Sequence, residues 1–377
     1  MSDTATLLCE LIALPSVNPA FLPPGDARAG EQRVADFVAV TAARAGLEIE
    51  FQKTLPDRVN LIARLRPKGR ITRTILLAPH LDTVPVASEK QFVPRTDGDR
   101  LYGRGACDTK GSVAAMLSAL CKLAKSKHRP RETEIIFAGL VDEESAQAGS
   151  RALAKSKLKA DLAIVGEPTN CQIVTAHKGN IWFQLETRGK AAHGSRPELG
   201  RNAVHSMARV VDALETDYAA MLHQRRRHPL LGHATVNVGT IRGGTQPNIV
   251  PDACVITVDR RTLPGETEAG VKREIKTFLA RKKLEVTFSL ARTEPCLPME
   301  TGAKLPLVRQ FLQSAGQRKP VGVHFFCDAA VLAEGGIPSV VFGPGDIAQA
   351  HTVDEWISLR SLERATDMLV RFLSLQP

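Results

Sequence analysis

The chain has 377 residues, of which 43% are hydrophobic and 24% charged, and its formal net charge is +10. That length exceeds one small core and suits two domains or a domain carrying an insertion, and the composition excludes disorder over most of the chain. A nucleic-acid surface is not expected: the basic residues are scattered through 64–73, 122–131, 151–159 and 225–228, and only two Trp and two Tyr could stack on bases.

The N-terminal stretch MSDTATLLCELIALPSVNP has acidic residues ahead of its apolar run and no basic segment, so no secretory leader is expected. No apolar run approaches a membrane span. The seven cysteines are scattered without a C-x-x-C pair, which argues against a disulfide framework or a cysteine zinc site and for a reducing cytoplasm.

In chain order, the first helix is predicted over GEQRVADFVAVTAARAG, with Val34, Phe37, Val38 and Ala42 on one face and a stop near Gly46, followed by a short strand. Strands follow at 59–65, 74–80, 132–140 and 160–167, with a helix at 112–125. Near-continuous apolar strands separated by helices indicate an α/β domain whose central sheet is covered on both faces. After residue 177 the order becomes strand 180–189, helix 202–215, strands 234–243 and 253–262, helix 268–282 and strand 284–291. That β-α-β-β-α-β order is the order of a ferredoxin-like unit and predicts an inserted domain. Helix 305–316, strand 337–343 and helix 358–375 resume the first style. The predicted organisation is therefore a discontinuous catalytic domain, 1–177 and 292–377, around an inserted domain at 178–291.

The chemistry gathers where strands end. In LLAPHLDTVPV an apolar strand runs into His80 and Asp82; another ends in Asp142, Glu143 and Glu144; a third ends in Glu167; a fourth leads to His351. LYGRGACDTKG delivers Asp108 just before a helix. Ligands of open α/β sheets bind beyond the carboxyl ends of the strands. Any one of these residues alone reads as a structural histidine or a solvated turn. Together they would place many negative charges in one crevice, which is costly unless cations neutralise them.

Imidazole and carboxylate without cysteine suit zinc, with cobalt or manganese as substitutes, more than calcium or magnesium. With Asp108 as a shared bridge, His80 and Glu167 complete one site and Glu144 and His351 the other. Asp82, two residues from His80, is placed to take the second imidazole N–H. Glu143 stands beside a ligand and is free to serve as general base. The glycines of YGRGACDTKG do not form a dinucleotide fingerprint, since its sixth position falls on Asp108. Cys107 and Cys327 lack a pairing histidine, and His205 falls on a predicted helix as a structural residue.

Eight segments in order, APHLDTVPV, GRGACDTKG, VDEES, IVGEPT, KAAHGSRPELGRNA, GGTQPNIVPD, DRRTLPGE and FGPGDIAQAHTVDE, resemble the M20 metallopeptidase and deacylase family. The closest resemblance is to its acetylornithine deacetylase and succinyl-diaminopimelate desuccinylase branch, from about residue 10 to the C-terminus. The resemblance implies a two-zinc α/β catalytic domain with a central mixed sheet and a ferredoxin-like lid, and a homodimer formed through that lid. It implies the same ligand sets and Glu143 as general base. His193 matches a lid histidine that reaches the partner's site and stabilises the oxyanion. Arg261 matches the arginine that binds the substrate carboxylate, its neighbour Arg260 facing the other way on a strand. Asn248 sits where a polar lid contact is expected. Members often have a cis peptide after the bridging Asp, and Thr109 follows it here where Asp or Met is common.

In the family that the chain resembles, Glu at the position of Glu167 is usual in deacylases and carboxypeptidase-like members and Asp in aminopeptidase-like ones and several dipeptidases, so the resemblance favours removal of an acyl group. The implied reaction is attack of a metal-bridged hydroxide on the amide of an N-acyl-L-amino acid, with acetylornithine as the first substrate to try. A dipeptidase or carboxypeptidase is the alternative on the same scaffold, and a noncatalytic protein binding an amino-acid conjugate or a partner is the alternative of another class.

Overall fold

The apolar runs of the first 175 residues become strands of one mixed sheet. The computed structural model describes residues 2–225, 227–292 and 294–377, so Arg226 of the basic run lies outside the described residues. The chain forms two units. One holds the residues up to Thr175 with Thr301–Val321 and Cys327–Pro377, and the other holds Ala176–Glu300 and Gly322–Phe326.

The chain opens with α1 (Asp3–Ile12), α2 (Gln32–Arg44), β1 (Glu48–Leu55), β2 (Arg58–Leu65), β3 (Arg73–Pro79), β4 (Arg95–Asp97) and β5 (Arg100–Tyr102). There follow α3 (Lys110–Ala124), β6 (Thr133–Gly139), α4 (Ala148–Lys155), β7 (Leu162–Gly166) and β8 (Val174–His177). The second unit continues with β9 (Gly179–Arg188), α5 (Ala203–Ala213), a π-helical turn at Leu214–Tyr218, α6 (Ala219–Gln224), β10 (Thr235–Gly243) and β11 (Ala253–Thr262). After these come α7 (Glu268–Arg281), β12 (Thr287–Leu290) and β13 (Met299–Glu300). The chain ends with α8 (Pro306–Ser314), β14 (Val321–Val323), α9 (Ala329–Glu334), β15 (Ser339–Val341), β16 (Trp356–Ser358) and α10 (Leu359–Ser374).

Local chemistry fixes several of these ends. Ser2 caps α1 by accepting the Ala5 N–H, and Ser358 caps α10 by accepting the Ser361 N–H. Pro306 occupies the first turn of α8, where its missing N–H costs nothing. Past α2, Gly46 takes φ +85°, a left-handed turn that glycine adopts without strain.

In the first unit the sheet runs β1-β2-β6-β3-β7-β15-β8. β6, β3, β7 and β15 are parallel neighbours, flanked by antiparallel β2 and β8. β6 and β7 are buried at every residue because both faces are covered. On one face Leu61, Ile75, Leu77, Phe137 and Ile164 pack with α1, α2, α3, α8 and α10. On the other lie α4 and α9. The four parallel strands thus point their carboxyl ends the same way.

The second unit has an antiparallel sheet in the order β10-β11-β9-β12. Along β11 burial alternates residue by residue, as a sheet covered on one face requires. Phe183, Leu185, Ile256 and Val258 pack against Met207 and Val210 of α5 and Val271, Ile275 and Leu279 of α7. No helix among the described residues is long and apolar enough to cross a membrane.

Candidate metal centre

Strand register delivers the site in the first unit. β3 and β7 pair Pro79 with Gly166, so the residues that follow, His80 and Glu167, leave adjacent strands side by side. His80 also bridges to Leu140, just past β6 and ahead of Asp142, Glu143 and Glu144. Asp108 comes from the loop before α3, and His351 from the loop between β15 and β16, with φ +62°. The Asp108–Thr109 peptide is cis.

Two groups of side chains result, His80, Asp108 and Glu167 in one and Asp108, Glu144 and His351 in the other, each with its ligand atoms within 4.8 Å of one another. Asp108 belongs to both, and its two oxygens are divided between them. Oδ1 lies 3.1 Å from His80 Nε2 and Oδ2 lies 3.2 Å from His351 Nε2. His80 Nε2 stands 3.9 Å from Glu167 Oε1, and His351 Nε2 3.2 Å from Glu144 Oε2. Two ligands each ~2.1 Å from a tetrahedral ion are about 3.4 Å apart, so these spacings are those of atoms facing a common cation. Glu144 Oε1 is buried and finds no hydrogen-bond partner among the described residues, an orphan that a cation would satisfy. The residues therefore fit a pair of divalent cations.

Asp82 ties this cluster together. His80 Nδ1 is 3.0 Å from the Asp82 carbonyl oxygen and 3.4 Å from its carboxylate, which holds Nε2 toward Asp108. The same carboxylate, fully buried, accepts the backbone N–H groups of Glu143 at 3.1 Å and Glu144 at 3.0 Å. It also accepts from Asn18 Nδ2 at 2.7 Å. Asn18 donates in turn to Asp142, which Arg58 also contacts at 2.8 Å, and Arg58 pairs with Glu31. Asp142 takes φ +71°, the turn that aims the next two N–H groups at Asp82.

Electrostatics show the cost of the arrangement without cations. Burial and the Asp108 charge push Glu144 up to about 7. Burial and the Glu167 charge raise Glu143 well above the usual range, and burial and the Asp108 charge do the same to Glu167. The Asp108 and Glu144 hydrogen bonds push His351 up to about 10. A cation inverts this balance by favouring the carboxylates. Cys107, beside Asp108, donates to the Asp346 carbonyl, and burial drives its thiol far upward, so it is no thiolate nucleophile.

Asp328, at the start of α9, is a buried carboxylate that the sequence did not single out. Its Oδ1 accepts from Ser150, its Oδ2 has no partner among the described residues, and burial pushes it up to about 7. Its only sequence signal is the pairing with Cys327 in a buried segment. Asn18, Glu31 and Arg58 were equally silent.

His193, Asn248 and Arg261 lie in the second unit. His193 is exposed, and its Nδ1 faces Ser195, 2.7 Å from the hydroxyl and 3.2 Å from the backbone N–H that donates to it. His193 bridges to Ile249, and the Gly194 N–H donates to the Asn248 carbonyl at 2.7 Å. A Cβ on Gly194 would meet the Asn248 backbone at 2.9 Å, so the two loops touch only through glycine. Arg260 and Arg261 face opposite ways along β11. Arg260 is fully buried against Tyr218 and Glu266. Arg261 is on the other face, 3.0 Å from Asp259, whose carboxylate also accepts from Asn180 and Trp182. Asn248 lies before the start of β11 and Arg261 near its end, and the strand from Ala253 to Arg261 is about 27 Å long at ~3.4 Å per residue.

Comparison with known proteins defines the class. Residues 76–375 match peptidase family M20/M25/M40, and the chain belongs to that family of amide-bond hydrolases. Among its relatives, an acetylornithine deacetylase of Myxococcus xanthus is 33% identical over 98% of both chains. The fold is similar to an M20 family metallo-carboxypeptidase from Sulfolobus solfataricus, with a TM-score of 0.77 at 20% identity over 100% of this chain and 99% of the other. It is also similar to a dinuclear metal-binding M20 peptidase from Bacillus subtilis, with a TM-score of 0.70 at 15% identity over 99% and 97%.

Proposed function

We propose that this protein is a dinuclear metal-dependent deacylase that removes the acyl group from an N-acyl-L-amino acid, with acetylornithine the first substrate to test. The observation that carries the reading is Asp108, whose two oxygens face two separate histidine–carboxylate groups. The similarity over nearly the whole chain to an acetylornithine deacetylase favours the acyl substrate.

His80, Asp108 and Glu167 would hold one cation and Asp108, Glu144 and His351 the other, zinc by ligand type with cobalt or manganese as substitutes. When bound, the cations supply polarisation of the scissile carbonyl and acidification of water. Glu143 accepts the proton of the attacking water and returns it to the leaving amine nitrogen, a task open to a carboxylate that stands beside Glu144 but belongs to neither ligand group. Asp82 orients His80 and fixes the backbone of the Glu143–Glu144 pair.

Arg261 binds the free carboxylate of the substrate, with Asp259 holding its guanidinium in place. Asn248 adds a polar contact. His193 donates through Nε2 to the oxyanion. His193, bridged to Ile249 ahead of β11, and Arg261 near the far end of that strand lie toward opposite ends of the sheet, which supports assigning them to different copies of the site, so that His193 of the partner subunit completes each one in a homodimer. The strand order of the second unit and its β-α-β-β-α-β sequence support a ferredoxin-like lid at 178–291, inserted between catalytic segments 1–177 and 292–377. Seven scattered cysteines with no C-x-x-C pair favour a reducing compartment, the cytoplasm.

A panel of N-acetyl and N-succinyl amino acids beside dipeptides tests this reading. Faster turnover of an N-acyl amino acid supports it, and turnover of dipeptides alone would replace it with a dipeptidase.

A further inference from the structure

Glu355 lies four residues after His351 and immediately before β16, and it is 1% exposed. β16 pairs with β5, Trp356 opposite Tyr102, and β5 leads into the loop that ends at Asp108. That loop is wrapped around Glu355. Its Oε1 accepts the backbone N–H of Cys107 at 2.8 Å and of Asp108 at 2.9 Å. Its Oε2 accepts the Gly105 N–H at 3.0 Å and the Arg104 guanidinium at 2.6 Å. Its carbonyl oxygen accepts the Gly103 N–H at 3.0 Å. Gly105 takes φ +81°, and a Cβ there would meet Lys110 at 2.8 Å and Thr83 at 3.0 Å, so the loop can close this tightly only with glycine. Every hydrogen bond to the carboxylate comes from a donor, an arrangement that complements an anion even though burial raises the carboxyl above its usual range. Such a concavity of backbone N–H groups is an anion site, here filled by the protein's own side chain.

We propose that Glu355 is a positioning residue for the metal centre: by gathering the N–H groups of Gly105, Cys107 and Asp108 it sets the bridging Asp108 against His351, which the same short segment carries. This rests on the reading of Asp108 as the shared ligand. Because Asp108 serves both groups, loss of Glu355 weakens both cations together, whereas loss of Glu167 or Glu144 acts first on one. A residue that merely stabilised the fold would lower the melting temperature and leave the affinities of the folded protein alone.

The test is zinc binding by the full-length chain in competition with a chromophoric chelator, with circular dichroism confirming the folded state. Glu355→Gln keeps the shape but turns an amide N–H₂ toward donors. It is expected to lower both zinc affinities by about 10-fold or more, the usual effect of losing a partner behind a ligand. Glu355→Asp, which keeps the charge on a shorter arm, is expected to fall between. A folded Glu355→Gln with both affinities within about twofold of the parent overturns the proposal. If that variant does not fold, Glu355→Asp decides, and unchanged affinities overturn it. Asp108→Ala is measured alongside. If it loses both ions while the Glu355 variants lose neither, the positioning role fails alone. If the parent binds no zinc, or Asp108→Ala keeps both ions, the shared-ligand reading fails and takes the proposal with it.

Discussion

Removing the divalent cations is expected to make the first unit lose stability as pH rises. Burial and Asp108 push Glu144 from the ordinary 4.5 up to about 7. A carboxyl raised on folding contributes its full stability below 4.5 and loses it as pH climbs through about 7. That shift corresponds to about 3 kcal/mol, and Glu143 and Glu167, also raised, act in the same direction. His351, half exposed and pushed up to about 10, has the same sign and a smaller effect because solvent screens it. Asp108 is held low by His351 and His80 against its burial, and it titrates below this window. In a unit of some 250 residues, 3 kcal/mol corresponds to a fall in Tm of about 6 °C. Calorimetric melts of chelated and zinc-loaded protein at about pH 5 and about pH 8 read it directly, with the steeper slope in the chelated sample, since Asp328, also pushed up to about 7 by burial, belongs to neither ligand group and acts in both. Glu144→Gln should make the chelated slope shallower, the remainder coming from Glu143, Glu167 and His351. A chelated Tm that stays level or rises across this interval would refute the reasoning.

Glu143→Gln is expected to keep both metals and lose kcat by about 10²- to 10⁴-fold, measured by steady-state kinetics with metal analysis on the same sample; an active variant removes the general base. His351→Ala should lower metal content, whereas His193→Ala should lower the rate with metal content unchanged, and an unaffected rate takes His193 out of the reaction. Methyl esterification of the substrate carboxylate should raise KM and lose its effect in Arg261→Ala; equal rates on acid and ester in the parent would withdraw the Arg261 assignment.

The parts that were legible in the sequence are those written in long patterns. β3, β6 and β7 read as continuous apolar runs because both faces are covered, and the alternation along β11 reads as a sheet covered on one face. His80, Glu143, Glu144 and Glu167 were visible because parallel strands deliver residues to one edge. The alternation also separates Arg260, turned inward to Glu266, from Arg261 beside Asp259. What was not legible lies in short or long-range features. β4, β5, β14 and β16 have three residues each, too few to show a period, yet β16 and β5 bring Glu355 under the Asp108 loop. Asn18 meets Asp82 and Asp142 across 64 and 124 residues, and only the folded backbone makes that polar contact. α1 carries Leu8, Leu11 and Ile12 on a buried face, a helical spacing masked in a segment read for targeting alone.

The most direct test of the central claim is turnover of acetylornithine by enzyme stripped with a chelator and titrated back with zinc or cobalt. Activity lost on stripping and regained as the ions bind, with Asp108→Ala neither binding nor turning over, is the expected result. Full turnover by the stripped enzyme, or stoichiometric metal without hydrolysis of any N-acyl amino acid, would contradict it.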